Sequence, residues 1–369
     1  LVDGNHEYTV FNRAIGTGPF IMESYDTLGD GGRIKYVRNP DYFKKGQPFF
    51  DAMELPIVTS SETIQAMFLQ GDTDTSGTGL DATLTAALKE ARPDMKTFEA
   101  SGFFLFKVYW DMANQDSPWA RDVRMRQAMW YFMPYDALLN QLGVTCCRTG
   151  PMPPGQKPWA LPNEDLPGSG LDLQSSIQEG LKLLDAAGYP AGTEIPLELS
   201  ISNFYGGDLL GEVLTAIFGG LKQASGGALN INVRLNVMEL GSWLKDVYRG
   251  GGTFEATSHA DAVFHDPDNG FYRYYHSTGV ANNTHLNDPK VDDFLERQRR
   301  EFDHEKRVEV VHEFQRYLLD ISPTVYIVAP NSFSGAQPWV ENYKTHTIGY
   351  LETLRHWDEL WFNETAPQR

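Results

Sequence analysis

The residues that could carry chemistry concentrate in one stretch, SHADAVFHDPDNGFYRYYHS, at positions 258–277. Its imidazoles and carboxylates are His259, Asp261, His265, Asp266, Asp268 and His276. Such groups are ligands for several divalent ions, so a metal site is one interpretation. The other is a polar loop that lines a cleft, with a turn at Asp266-Pro267. We favour the polar loop, and we expect neither a metal nor a cofactor.

A second candidate is the loop that contains Gly16 and Gly18, which resembles a phosphate-binding loop at first sight. It lacks the third glycine of a dinucleotide fingerprint and the Gly-Lys-Ser/Thr ending of a P-loop. Pro19 also removes a backbone donor where a phosphate would need one. We therefore predict a tight turn that leads into the strand FIMESY.

Catalytic motifs give no clear signal in this sequence. It contains neither a G-x-S-x-G elbow nor an H-E-x-x-H zinc motif. Carboxylates are frequent, but the sequence does not place two of them on opposite sides of a substrate. We expect a binding protein with no catalytic residues. A secreted hydrolase that acts on a peptide or glycan with two carboxylates near 255–268 is the alternative, and a ligand-free accessory protein of a cell-surface complex is a third.

The composition sets further limits on the class of protein. The chain has 369 residues and a net charge of -18, which predicts two or more lobes and disfavours a nucleic-acid partner. No apolar run approaches the roughly 18 residues that span a membrane. The only cysteines, Cys146 and Cys147, are adjacent and fit neither a CxxC motif nor a zinc site. Two free thiols are a simpler interpretation than a strained disulfide between adjacent cysteines.

The elements that must position the polar stretch follow from hydrophobic patterning. FFLFKVYW, at 103–110, predicts a strand buried on both sides. PLELSIS (196–202) and INVRLNVM (231–238) alternate with period two and flank a helix near 208–224, which predicts a β-α-β unit in a parallel or mixed sheet. Residues 249–283 show no regular period, and we predict an irregular segment there.

Helix boundaries are marked by capping residues. Capping boxes at Thr59-x-x-Glu62 and Ser176-x-x-Glu179 predict two helix starts, and Gly71 predicts the end of the first helix. Asp288-Pro289 predicts a further helix start. Another helix is expected over 304–320, followed by the strand TVYIVA.

Five stretches then occur in a fixed order along the chain. They are GTGPFIMESY with RIKYVRNPDYF, AMFLQGDTD, ARDVRMRQAMWYF, GLKLLDAAGY, and HDPDNGFYRYYHS with NNTHLNDPKVDDFL. Taken together, they resemble the extracytoplasmic solute-binding proteins of peptide/nickel-type ABC transporters, the family 5 solute-binding proteins. In that family a long N-terminal portion with the signal sequence precedes the GTGPF turn, so the resemblance implies that this chain lacks that portion.

The resemblance implies an α/β, two-lobed periplasmic-binding-protein-like fold of the large type II class, with mixed sheets and a hinge of two crossing segments. The expected organisation is part of lobe I at 1–102, a hinge crossing at 103–110, lobe II at 111–324, a return crossing at 325–330 and a return to lobe I at 331–369. The implied location is periplasmic or extracellular, with membrane association through a lost N-terminal anchor.

The implied function is the substrate-binding component of an ABC importer, which captures a peptide or similar small polar solute and delivers it to permease subunits. Sugar oligomers or a chelated metal are alternative solutes. Peptide-binding members of the family carry an Asp that pairs with the peptide α-amine. An ungapped alignment from Asp266-Pro267 places Val263 there, whereas two inserted residues place Asp261 there.

Candidate ligand-binding residues follow from that implied cleft, which should combine aromatic walls with a few polar anchors. The candidates are Phe104, Tyr109 and Trp110 at the crossing, with His259, Asp261, Phe264 and His265 from the polar stretch. Each aromatic residue has a core role as its alternative.

Overall fold

A computed structural model describes residues 16–25, 32–58, 60–80, 82–100, 104–135, 148–202, 207–262, 266–344 and 356–367. The chain divides into two compact units. Unit 1 combines residues 1–100 with 332–369, and unit 2 is the continuous segment 101–331. The polypeptide therefore passes from one unit to the other twice. None of the helices in the described part is long and apolar enough to cross a membrane.

The described residues of unit 1 form short antiparallel sheets and two α-helices. Its strands are β1 (Phe20–Tyr25), β2 (Arg33–Arg38), β3 (Ala52–Pro56), β4 (Thr75–Leu80), β5 (Lys96–Ala100), β11 (Ser332–Ala336), β12 (Val340–Glu341) and β13 (Trp361–Phe362), and its helices are α1 (Ser61–Gln70) and α2 (Ala82–Ala91). The strands pair in the orders β1-β2-β3, β4-β11-β5 and β12-β13. Phe68, Leu88 and Met95 form a buried cluster in this unit.

The GTGPF segment is a turn that leads into β1, as the sequence predicts. Asn39 holds this turn: its side-chain Nδ2 donates to the Gly18 carbonyl over 2.8 Å, and its backbone N–H donates to the Pro19 carbonyl over 2.9 Å. The Arg-Asn-Pro motif therefore has a structural role here, because it ties the end of β2 to the start of β1.

The predicted end of α1 is correct, whereas its predicted start is one residue early. Ser60, and not Thr59, caps the helix by accepting from the Thr63 N–H over 3.2 Å. Gly71 ends it with a φ of 83°, a left-handed conformation that glycine adopts without steric cost.

Unit 2 contains one five-stranded sheet and most of the helices. Its strands are β6 (Phe104–Trp110), β7 (Ile195–Ile201), β8 (Ile231–Val237), β9 (Ala256–Ala262) and β10 (Thr324–Val328). Its helices are α3 (Pro118–Arg121), α4 (Val123–Tyr131), α5 (Leu173–Ala186), α6 (Gly207–Ala224), α7 (Leu240–Trp243, followed by one π turn at Leu244–Tyr248), α8 (Pro267–Tyr275), α9 (Pro289–Arg300) and α10 (His304–Ile321), with a 3₁₀ turn at Asn163–Asp165.

The sheet of unit 2 has the order β10-β6-β9-β7-β8. β7 pairs in parallel with β8 around α6, which confirms the predicted β-α-β unit. β6 pairs antiparallel with both β10 and β9, so the apolar run FFLFKVYW lies inside the sheet as its composition predicts. The sheet therefore contains parallel and antiparallel pairs, and the predicted α/β class is confirmed.

Residues 249–283 are not irregular throughout, so that prediction is wrong. They contain β9 and α8. β9 has the sequence ATSHADA, which is poor in the branched and aromatic residues that mark strands. It is a strand because it pairs with β6 along its whole length and also with β7. The start of α5 was misassigned as well: Asp172 caps it by accepting from the Ser175 N–H over 2.8 Å.

Candidate ligand-binding site

The pairing of β6 with β9 decides which polar side chains meet. Lys107 lies opposite His259, and Leu105 lies opposite Asp261. Because side chains alternate between the faces of a strand, Lys107, Tyr109, His259 and Asp261 share one face of the sheet. This face carries a cation, an imidazole, a phenol and a carboxylate within a few ångströms.

Asp261 is contacted on both carboxylate oxygens. Its Oδ2 lies 2.5 Å from Lys107 Nζ, with which it forms an ion pair, and 3.0 Å from His259 Nε2. Its Oδ1 accepts from the Tyr274 hydroxyl over 3.3 Å and from the Tyr248 hydroxyl over 3.5 Å. Both Asp261 and Lys107 are only 5% exposed, so this pair is screened little by solvent.

The electrostatics keep the Lys107–Asp261 pair charged. Burial by itself would raise the pKa of Asp261, but His259 and Lys107 hold that pKa well below its usual range. Burial by itself would lower the pKa of Lys107, but the attraction of nearby groups, chiefly the Asp261 carboxylate, together exceeds that effect. The pKa of Lys107 is therefore raised. Removing one partner would leave the other as an uncompensated buried charge, which is strongly destabilising.

His259 is enclosed by aromatic rings and fully buried. The ring centroids of Tyr109, Trp243 and Tyr248 lie 5.0, 5.2 and 5.5 Å from its imidazole, each close to edge-on. Trp243 is held in turn, because its Nε1–H donates to the Ser200 carbonyl over 3.2 Å. These contacts fix the imidazole beside Asp261, so its role in this arrangement is to support the carboxylate.

A cavity of about 20 Å³ lies beside the ion pair. Its lining consists of Leu105, Lys107, Pro151, Asp261, Gly270, Phe271, Tyr274, Tyr275 and Tyr326. This volume accommodates about one water-sized group. Burial raises the pKa of Tyr274 and Tyr326 well above that of a free phenol, so both hydroxyls stay protonated and can donate. The cavity therefore combines a buried ammonium with hydroxyl donors.

Comparison with known proteins identifies the family. The family model of the bacterial extracellular solute-binding proteins, family 5 (middle part), matches residues 2–282. The chain belongs to this family. Among curated proteins it is similar to heme-binding protein A of Haemophilus influenzae, with 28% identity over 188 residues, which cover 50% of this chain and 31% of that protein. The match thus spans less than a third of that relative's length.

Solved structures share the fold of this family 5 chain. The ABC transporter substrate binding protein CtaP of Listeria monocytogenes superposes with a TM-score of 0.73 at 15% identity, over 98% of this chain and 70% of that chain. The oligopeptide-binding protein AppA of Bacillus subtilis, in complex with a nonapeptide, gives a TM-score of 0.69 at 16% identity, over 97% and 69%. These matches confirm the predicted periplasmic-binding-protein fold.

The structure brings three of the predicted site residues of this family 5 chain together, namely Tyr109, His259 and Asp261. Trp110 points to the opposite face of the sheet, where it is fully buried and stacks on Trp119 at a centroid distance of 6.1 Å. Phe104 is the first residue of β6. Phe264 and His265 lie outside the described residues.

Sequence reasoning missed the partners of Asp261, which are Lys107, Tyr248 and Tyr274. A signal for Lys107 was present, because it is the only charge in the apolar run FFLFKVYW. A lysine in a strand buried on both faces requires a carboxylate or an equivalent acceptor nearby. The tyrosines carried no comparable signal, since their contact with Asp261 depends on how α7 and α8 pack on the sheet.

The other described imidazole and carboxylates of the 258–277 stretch, those of His276, Asp266 and Asp268, have structural partners. Asp266 caps α8 by accepting from the Asp268 N–H over 2.9 Å, and Arg307 binds its carboxylate with contacts of 2.8 and 3.1 Å. Arg299 binds the Asp268 carboxylate over 2.5 and 2.9 Å. His276 stacks on Tyr272 at 4.1 Å. Within the described ranges no three His, Cys, Asp or Glu side chains converge as metal ligands.

A second His–carboxylate pair, with a buried Asp111 and a partly exposed His285, lies at the end of β6. His285 Nδ1 is 2.7 Å from Asp111 Oδ1, and His285 Nε2 is 3.1 Å from the Gly250 carbonyl. Both ring nitrogens thus face acceptors, an arrangement that only the doubly protonated imidazolium satisfies. The hydrogen bond to Asp111 raises the pKa of His285. The pair ties the segment after β6 to the loop before β9.

Proposed function

We propose that this chain is the substrate-binding component of an ABC importer and that it captures a peptide or similar small polar solute. The observation that carries the proposal is the family 5 match over residues 2–282. The proteins named above are a heme-binding protein, an ABC transporter substrate-binding protein and an oligopeptide-binding protein, each by its own description. These descriptions have ligand binding in common, and delivery of the solute to permease subunits is part of our proposal.

The described carboxylates favour binding over the hydrolase alternative. Between positions 255 and 268, the carboxylates of Glu255, Asp261, Asp266 and Asp268 all have partners. Glu255 accepts from the Ser117 hydroxyl over 2.9 Å and from a backbone N–H over 2.6 Å, and the other three are paired with cationic side chains. A hydrolase needs one carboxyl group free to move a proton or attack a substrate. This arrangement therefore supports a protein that holds its ligand without bond-making.

We further propose that the two units act as the lobes of the family, with the hinge crossings at 103–110 and 325–330 close to the two connections between the units, at 100–101 and 331–332. A ligand that prefers the closed form would shift the population toward it by its difference in affinity for the two forms. The extracytoplasmic location and the N-terminal membrane anchor belong to the same proposal, since they follow from the family.

Asp261, His259 and Tyr109 stay the proposed polar part of the ligand site, in which Asp261 is already paired with Lys107. Phe264, His265 and Phe104 stay predicted contacts. The burial of Trp110 against Trp119 supports a core role for that residue instead.

Native mass spectrometry of the purified protein, together with thermal shift against peptide and oligosaccharide pools, tests the function. We expect an intact-mass adduct or a raised Tm with at least one peptide pool and no cleaved product. A ligand at 100 times its Kd adds about 2.7 kcal/mol to the free energy of unfolding. An apo mass in every preparation with no shift from any pool would contradict solute capture, and time-dependent cleavage would favour the hydrolase.

A further inference from the structure

The carboxylate of Asp261 has its counter-charge inside the protein. Lys107 and His259 contact one of its oxygens, and two tyrosine hydroxyls donate to the other. A buried carboxylate binds a ligand ammonium strongly only where that ammonium supplies the missing charge. Here Lys107 already supplies it at 2.5 Å, on the strand directly paired with β9. A second cation would meet the positive charge of Lys107 at close range.

The groups around Asp261 still have hydrogen-bond donors that are not used, and these belong to Lys107. The Lys107 ammonium has three N–H groups, and among the described residues it contacts a single carboxylate oxygen. Its other neighbours are the rings of Tyr274 and Tyr109, with centroids at 4.7 and 5.4 Å. Aromatic faces attract a cation but accept no strong hydrogen bond. An ammonium 5% exposed and short of acceptors therefore borders the 20 Å³ cavity.

The tyrosine hydroxyls around the cavity are neutral and already hydrogen-bonded, so the free donors are those of Lys107. Tyr275 and Tyr326 are hydrogen-bonded to each other through their hydroxyls, and Tyr274 donates to Asp261. Of the groups around the cavity, only Asp261 is anionic, and its charge is already compensated. The volume admits one oxygen-sized group. A ligand oxygen would gain a charge-assisted hydrogen bond from Lys107 there, whereas a ligand ammonium would be repelled by the charge of Lys107.

We propose that this cavity binds a hydrogen-bond acceptor oxygen of the solute, a carboxylate or a carbonyl, and that Lys107 excludes free cationic amines from Asp261 by taking their place. The inference rests on the proposed solute-binding function. The substrate class is then a peptide-like solute recognised here through an acceptor oxygen, with its amino terminus not bound at this carboxylate.

The first test compares one tetrapeptide in three forms: unmodified, N-acetylated and C-amidated. Titration calorimetry on the wild-type protein should give Kd values within threefold for the first two forms. If the cavity binds the C-terminal carboxylate of the peptide, amidation should weaken the affinity tenfold or more. If it binds a backbone carbonyl, amidation should leave the affinity unchanged. In K107M the carboxylate is uncompensated, so the unmodified peptide should bind at least tenfold more tightly than the acetylated one. A wild-type protein that already prefers the free amine tenfold would overturn the proposal.

The second test needs no peptide, and it separates this inference from the proposed function. Acetate and methylammonium serve as isolated carboxylate and ammonium probes in thermal shift. Acetate should raise the Tm of the wild type and not that of K107M, and methylammonium should raise that of K107M alone. Equal responses of both proteins to both probes would refute the inference. Positive probe shifts with no peptide binding by any form would instead leave the inference in place and reject peptide capture.

A double-mutant cycle guards against loss of folding. K107M and D261N should each lower the urea midpoint of unit 2 more than the double variant K107M/D261N does, because each single change leaves one buried charge alone. Additive effects would show that the two side chains do not interact and would contradict the proposal.

Discussion

Arg126 offers a sharp test of how unit 2 is held together. Its side chain is 4% exposed and donates four hydrogen bonds to backbone carbonyls. Nη1 donates to Trp119 and Ala120 over 2.7 and 2.8 Å, while Nε and Nη2 donate to Ser322 and Ile321, both over 3.0 Å. One guanidinium therefore closes the C-terminal ends of α3 and α10, where carbonyls have no partner within the helix.

The cost of Arg126→Met can be worked out from these contacts. Hydrogen bonds to a charged group contribute about 1.5 kcal/mol each at the low end, so four of them amount to about 6 kcal/mol. These values already include the desolvation of the guanidinium, whose burial lowers the pKa of Arg126 to about 10. Because four bonds on one side chain are not additive, we expect a loss of about 3–6 kcal/mol in the free energy of unfolding of unit 2.

Arg124→Met is the matched control, because it makes the same change two residues earlier in the same helix. The Arg124 side chain is 45% exposed and pairs with Asp122, so its loss should cost under about 1 kcal/mol. Urea unfolding followed by tryptophan fluorescence measures both variants. A difference between them of less than about 1 kcal/mol would refute the claim that Arg126 locks the two helix ends.

Two further predictions concern pH and packing. Because the pKa of His285 is raised by Asp111, the stability this pair adds is full below the unfolded pKa of about 6.5 and is lost as pH rises through the folded pKa. The unfolding midpoint of the wild type minus that of H285Q should fall between pH 6 and 9, and a constant difference would contradict this. A Cβ on Gly180 would lie 2.3 Å from Phe132, so Gly180→Ala should cost about 1–3 kcal/mol. Gly219 is also helical but has open space around it, and Gly219→Ala should stabilise by about 0.5–1 kcal/mol in the same urea assay.

The elements that the sequence predicts well are those whose pattern is local. β6 is a continuous apolar run, and β7, α6 and β8 show clear strand and helix periods. β9 has no such pattern, since ATSHADA contains mostly small and polar residues. Its strand conformation is imposed by β6, about 150 positions earlier in the chain, and by β7. Only pairing across that distance distinguishes it from a polar loop.

The separation of β6 and β9 in the sequence also explains which site residues could be predicted. Resemblance to the family drew attention to Asp261, and composition drew attention to His259. That Lys107 lies opposite His259 depends on the register of β6 against β9, which no local pattern encodes. The Asp261 carboxylate, which the sequence suggested as an acceptor for a ligand amine, is therefore paired within the protein. The proposed site instead offers the ligand a hydrogen-bond donor, the Lys107 ammonium.

The strand order of unit 1 determines when its β4-β11-β5 sheet can form during synthesis. β11 lies between β4 and β5, yet it is synthesised only after the whole of unit 2. Until then β4 and β5 lack the strand that pairs with both of them, and their edges stay open to other chains. Unit 2 has all its strands in one continuous segment and can complete its sheet first. A chain that ended directly after residue 331 would therefore contain all of unit 2 but would lack β11, the strand that joins β4 to β5 in unit 1.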